Sequence, residues 1–167
     1  MTSAAKLYAL PIILPAVRSD LTYRPFERKD IPSLLRMTRE NMTQVILSAW
    51  GVDWRDETLL ETLLDLSVMT EVVERQEKVV GYYSLDQRGD YLFIISIQVQ
   101  KEDQGKGIGK ATMERIEDMA VRSGLEGIEL VVQSTNPGAK AFYEHLAYVY
   151  VSRERNNLVF RKAFQVG

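Results

Sequence analysis

Apolar and polar positions follow two rhythms along this chain. Residues 72–75, 79–85 and 91–100 are short runs rich in Val, Ile, Leu, Tyr and Phe. They are parted by Gln76-Glu77-Lys78 and by Arg88-Gly89-Asp90. Such runs between polar turn residues predict consecutive strands. The run at 91–100, YLFIISIQVQ, is dominated by β-branched and aromatic residues and reads as a buried strand. Residues 21–24 read as a short first strand, and residues 128–133 as a further buried one.

The other rhythm is helical. Leu34, Leu35, Thr38 and Met42 lie near one face of a segment that starts at Ile31, with Asp30 as its N-cap and Pro32 in its first turn. Trp50-Gly51-Val52-Asp53-Trp54 breaks the pattern. Asp53 or Asp56 then caps a second helix with the stripe Leu59, Leu60, Leu63 and Leu64. A third helix runs to about Ser123. Its Ile108, Ala111, Ile116, Met119 and Ala120 face a core, while Lys110, Glu114, Glu117, Asp118 and Arg122 face water. Gly124 is its stop. This helix connects the strand at 91–100 to that at 128–133, so the two should lie parallel through a crossover. Asn136 caps a fourth helix with Pro137 at its first position. Residues 148–152 and 158–164 close the chain as a hairpin around Arg155-Asn156-Asn157. No linker, repeat or low-complexity segment interrupts this order, so the expectation is one α/β domain with a mixed sheet.

Composition narrows the chemistry. The chain has 167 residues, enough for one domain with a sizeable core. Its net charge of -2 carries no nucleic-acid footprint. With no cysteine there is no disulfide, thiolate metal site or cysteine nucleophile, and with the single histidine, His145, no multi-His metal site. His145 reads as a helix-surface residue. No apolar run reaches the ~18 residues of a membrane span. Residues 1–20 read as an N-terminal arm. Its apolar stretch at 7–17 follows Lys6, as in a signal peptide. Pro11, Pro15 and the lack of an A-x-A site favour a cytoplasmic protein whose arm covers the domain or a partner subunit in a homodimer.

Between the strand at 91–100 and the third helix lie the polar Lys101, Glu102, Asp103 and Gln104, then Gly105, Lys106, Gly107, Ile108, Gly109 and Lys110. A glycine-rich turn at a helix start presents free backbone N–H groups, an anion site suited to phosphate. Lys106 and Lys110 add positive charge. A Walker loop fails, because Gln104 stands where its first glycine belongs and Ala111 where Ser or Thr would hold magnesium. The dinucleotide fingerprint fails in both frames, at Lys110 and at Thr112. A tight turn without a ligand is the bland alternative.

Gln104-Gly105-Lys106-Gly107-Ile108-Gly109 resembles the Q/R-x-x-G-x-G/A loop of the GCN5-related N-acetyltransferases. Ile97-Gln98-Val99 resembles that family's strand end. Asn136-Pro137-Gly138-Ala139-Lys140-Ala141-Phe142-Tyr143-Glu144 is similar to its N-x-x-A-x-x-F/L-Y-E segment. The likeness is good over residues 79–162 and loose before them. It implies an N-acetyltransferase domain over residues 21–167: a mixed, mostly antiparallel sheet with a central splayed parallel pair and flanking helices. It implies acetyl-CoA as co-substrate, with pyrophosphate on Gln104 to Lys110, pantetheine on the backbone of Ile97, Gln98 and Val99, and Asn136 as a further contact.

The resemblance further implies that Tyr143 is the general acid beside the sulfur, with the Val99 N–H as oxyanion donor. Without cysteine, direct attack by an amine is expected. The general base stays open between Glu129, another acid and a water chain, since the family's frequent glutamate position falls on Val131. The acceptor amine, of a small molecule or of a peptide or protein, is expected over residues 40–57 and the final hairpin loop. Trp50 and Trp54 would form walls, and Glu40 and Asp53 would attract a cation. Core tryptophans and solvated acids are the plain alternative. Leu146-Ala147-Tyr148 departs from the family's usual Leu-Gly-Phe turn. Two other readings are a weakly catalytic acyl-CoA-binding regulator and a nucleotide-binding module.

Overall fold

The computed structural model describes Arg18 and residues 20–165; most of the expected arm lies outside the described residues. These residues form strands β1 (Leu21–Pro25), β2 (Met69–Arg75), β3 (Lys78–Arg88), β4 (Tyr91–Val99), β5 (Gly127–Gln133), β6 (Val149–Glu154) and β7 (Asn157–Ala163). The helices are α1 (Ile31–Trp50), α2 (Asp56–Leu64), α3 (Ile108–Arg122) and α4 (Pro137–His145). One sheet holds all seven strands in the order β1-β2-β3-β4-β5-β7-β6. Its neighbours pair antiparallel except β4 and β5, which are parallel and joined by α3, as expected.

Side chains alternate across a sheet, so Tyr82 and Tyr83 enter different cores. Tyr82 and Val72 pack with Leu34 and Met37 of α1 and Leu59 and Leu63 of α2. On the other face Tyr83, Leu85, Leu92, Ile128 and Leu130 pack with Met113, Ile116 and Met119 of α3. The inward residues assigned to α3 from its periodicity are all buried.

α3 also buries a charge. The Arg115 guanidinium meets the Glu71 carboxylate at 2.9 and 3.2 Å, and the Tyr83 hydroxyl donates to Glu71 at 2.7 Å. The Arg115 guanidinium carbon sits 4.5 Å from the centroid of the Tyr23 ring. That network explains why β2 begins at Met69 and not at residue 72. Thr70 and Glu71 are buried strand residues whose polar groups are satisfied by Ser84 and by Arg115.

Other boundaries differ locally. Asp30 precedes α1, but its side chain does not cap the helix. The carboxylate instead takes two hydrogen bonds from Arg24, at 2.8 and 2.9 Å, and one from the Glu27 N–H. α1 runs through Trp50 and stops at Gly51, whose φ of 67° supplies the left-handed turn. Neither Asp53 nor Asp56 caps α2. Arg55 holds that position, and Asp56 lies in the first turn, where its charge suits the helix dipole. α4 stops at a left-handed turn built on Ala147, at φ 68°, with Tyr148 N–H bonded to the Tyr143 carbonyl. The turn therefore survives without the family's glycine, with the strain of a Cβ in that region. Among the described residues no helix is long and apolar enough to cross a membrane.

Candidate active site

The parallel ladder between β4 and β5 stops early. It pairs Tyr91 with Gly127 through Ile94 with Leu130, although β4 continues to Val99 and β5 to Gln133. The cause lies on the other side of β4. Leu85 of β3 opposes Ile94 while Ser84 opposes Ser96, so Ile95 is an extra residue. Such a bulge bends its strand, and β4 parts from β5 at that point.

Beyond the bulge, Gln100 N–H donates to the Val80 carbonyl at 2.7 Å. Backbone groups alternate in direction along an antiparallel strand. The amide groups of Ile97 and Val99 therefore face away from β3, toward the open side. The Val99 carbonyl bears this out, accepting from Asn41 Nδ2 at 2.9 Å and Gln104 Nε2 at 3.0 Å. Asn41 also donates to Gln98 Oε1 at 3.0 Å and accepts from Gln104 at 3.3 Å. One carboxamide cluster thus joins α1, the end of β4 and the glycine loop.

The loop follows at once. A short turn at Lys101–Asp103 leads to Gly105 and Gly107, at φ 76° and 82°, and α3 starts at Ile108. Those left-handed dihedrals are why glycine is needed. The first-turn N–H groups of α3 have no partner within the helix, so they point out of its positive end. Gly109 serves differently. A Cβ there would lie 3.3 Å from the Phe142 ring, so its bareness lets α3 approach α4. Ile108 is buried in a core cluster with Leu21, Val73, Val80 and Ala111. The Lys106 ammonium pairs with Asp103 at 3.3 Å, while its carbonyl accepts from Arg18.

Two cavities flank the parted strands. One, of about 550 Å³, is bordered by Asn41, Ile97 to Val99, Gly105, Gly107, Lys110 and Phe142. The other, of about 270 Å³, lies between β4, β5, α1 and α2. They share Met42, Ile97, Gln98, Asn136, Ala139 and Tyr143. Asn136 caps α4, its Oδ1 accepting from the Ala139 N–H at 3.2 Å. Tyr143 is buried at the junction, edge-on to Phe142 and Tyr148 with centroids at 5.1 and 5.7 Å. Burial pushes its phenol above the ordinary tyrosine range, so it stays protonated.

A model of the acetyltransferase (GNAT) family matches residues 33–148. The chain belongs to that family. It is an N-acetyltransferase that takes its acetyl group from acetyl-CoA. Solved structures share the fold at low identity. PaiA N-acetyltransferase from Thermoplasma acidophilum, solved with coenzyme A, has a TM-score of 0.73 and 16% identity, over 86% of this chain and 99% of its own. Ribosomal-protein-S18-alanine N-acetyltransferase from Escherichia coli has a TM-score of 0.69 and 18% identity, over 88% and 96%. Spermidine N-acetyltransferase from Vibrio cholerae, solved with CoA and spermine, has a TM-score of 0.64 and 24% identity, over 86% and 94%.

Around this GNAT core, other expected site residues divide. Trp54 borders the smaller cavity and donates through Nε1 to Asp56 at 3.0 Å, whereas Trp50 borders neither cavity. Glu40 borders the larger cavity, and Asp53 is exposed and borders neither. Glu129 also borders neither. It is half-buried opposite Phe93, where the ladder is intact, and accepts from Arg161 at 2.6 Å. The final hairpin loop docks on α1, Asn156 donating to the Ala49 carbonyl.

Asn41, and the hydroxyl set Thr38, Tyr82 and Ser96 in the smaller cavity, escaped the sequence reading. An asparagine inside a helix costs stability, and that was the available sign for Asn41.

Proposed function

We propose that acetyl-CoA lies along the open edge of β4, with its pyrophosphate on the glycine loop, and that a primary amine reaches the thioester from the smaller cavity. The observation that carries this is the end of the β4–β5 ladder at Ile94 and Leu130, with the Ile97 and Val99 amides facing a cavity that runs to Gly105 and Gly107. Strand-like pairing of an extended pantetheine with those amides is a form of strand addition. The left-handed glycines and the unpaired N–H groups of α3 suit the phosphates. Lys110, which borders the cavity, adds charge there; Lys106 contributes its backbone, since its ammonium is engaged with Asp103. Gln104 acts by fixing the loop to Val99, and Asn136 borders the path.

The thioester supplies an activated acyl carbon. In this reading the Ile97 N–H, at the junction of the two cavities, serves as the oxyanion donor, while the Val99 N–H, which borders the larger cavity alone, pairs with pantetheine. As the new C–N bond forms and the C–S bond breaks, the Tyr143 hydroxyl gives its proton to the sulfur and regains one from solvent. The proton lost by the amine passes to water, since among the described residues no carboxylate borders the smaller cavity.

An amine acceptor is in keeping with the related enzymes, which act on an alanine of a ribosomal protein and on spermidine. The exposed edge strand β6, with Val149, Tyr150 and Val151 outward, supports a homodimer. A screen of acetyl-CoA turnover against amines and peptide amines tests the function. Amine-dependent release of free CoA is the expected result. Tight CoA binding without turnover of any amine would leave a binding protein in its place.

A further inference from the structure

The smaller cavity carries no charge. Among the described residues its border consists of apolar side chains, hydroxyls and carboxamides, without a single Asp, Glu, Lys, Arg or His. The carboxylates of the surrounding elements are engaged or placed elsewhere. On α2, Asp56 pairs with Arg39 and takes a bond from Trp54, while Glu57 and Glu61 are exposed. Glu40 of α1 borders the larger cavity, Glu129 of β5 pairs with Arg161, and Glu144 of α4 with Lys140. The titratable groups that do border it are the phenols of Tyr82 and Tyr143. Burial pushes both up, so both are neutral.

An ammonium entering such a space loses water and gains no counter-ion, which is costly. A neutral amine does not suffer this. What it meets is an ordered hydroxyl chain. Thr38 Oγ1 donates to the Leu34 carbonyl at 2.8 Å. Its proton is then committed, so the Tyr82 hydroxyl, 2.6 Å away, donates to Thr38. Tyr82 in turn accepts from Ser96, 3.1 Å away. Each hydroxyl has one proton, so the chain has one direction. It leaves a Ser96 lone pair to accept an N–H. Because the chain ends on a carbonyl, which holds no proton, it positions the amine and does not remove its proton.

Resting on the proposed function, we infer that this cavity selects a weakly basic α-amine on an apolar, residue-sized body, bound as the free base with its N–H donated to Ser96 Oγ. The size follows from about 270 Å³ of space, below the usual range for drug-sized ligands. The preference follows from ionisation. At pH 7.5 roughly a third of an α-amine is neutral against about a thousandth of a lysine ε-amine, a ratio of about 300.

The test compares phenylalaninamide, Nα-acetyl-lysinamide and spermidine by CoA release, with acetyl-CoA affinity measured separately by calorimetry. Phenylalaninamide should have a kcat/KM at least ~100-fold above the others at pH 7.5, and the lysine amide should close the gap as pH rises toward ~10. Ser96→Ala should raise the KM for phenylalaninamide about tenfold at unchanged CoA affinity, and Ser96→Thr should restore it. Thr62→Asp, which adds a carboxylate to the cavity wall, should shift preference toward spermidine. Comparable turnover of the lysine amide or spermidine by the wild type, or an unchanged KM in Ser96→Ala, overturns the inference while leaving the acetyltransferase reading intact. Binding of CoA with no turnover of any of the three amines overturns it as well. Failure of CoA to bind overturns both.

Discussion

The side-chain amide of Asn41 donates to the carbonyl of Val99 at 2.9 Å, tying the middle of α1 to the last residue of β4. Gln104 reaches the same carbonyl from the glycine loop, so a single oxygen registers the strand end against the loop that follows it.

Asn41→Ala removes the donors to Val99 and Gln98 and the acceptor for Gln104. Each such bond contributes about 1 kcal/mol net. The KM for acetyl-CoA should rise roughly tenfold as the loop loses its register, with a smaller change for the amine. Steady-state kinetics over both substrates measures this, and an effect on the amine alone would contradict it.

Tyr143→Phe keeps the edge-on packing against Phe142 and Tyr148 and removes only the hydroxyl. General acid catalysis typically contributes ~10²–10⁴-fold, so kcat should fall within that span while CoA affinity and Tm hold. Wild-type kcat in the variant, with single-turnover data showing that chemistry limits the rate, would remove Tyr143 from the mechanism.

Much of this site could be read in the chain beforehand. The strand at 91–100, the glycine loop and the helix after Asn136 each follow a strong local rule of alternation, turn chemistry or capping. The parallel neighbour of β4 followed from the crossover rule. Other features depend on residues far apart in sequence. The bulge at Ile95 exists through its pairing with β3. Asn41 matters because α1 crosses the strand end, and Glu129 was open until its cross-strand partner Arg161 was in view. Asp30 has the residue type of a helix cap, yet Arg24 outcompetes the helix N–H groups for its carboxylate.

Glu71→Ala leaves the Arg115 guanidinium buried without its counter-ion. Breaking such a pair costs about 3–5 kcal/mol. Replacing both partners, as in Glu71→Leu with Arg115→Met, should recover much of that loss. Urea unfolding of the three proteins measures it, and a double variant no more stable than Glu71→Ala would argue against uncompensated charge as the cause.

Asp30 makes part of the stability pH-dependent. Burial alone would raise its carboxyl, but the hydrogen bonds from Arg24 and the Glu27 N–H hold it below the usual carboxylate range. A depressed folded-state value stabilises the fold above the unfolded value near 3.9, and that stability is lost as pH falls through the folded value. Asp30→Asn should therefore be less stable than wild type at pH 7, with the difference shrinking at pH 3. Equal differences at the two pH values would exclude this linkage.

The proposed site lays the acyl donor against the free edge of β4 and the glycine loop. Residue-resolved amide hydrogen exchange on the wild-type protein, with and without CoA, tests it most directly. Exchange at the Ile97 and Val99 amides and across Gly105 to Gly109 should slow when CoA is bound, with β6 unchanged. CoA binding that leaves the Ile97, Val99 and loop amides exchanging at their free rates would contradict it.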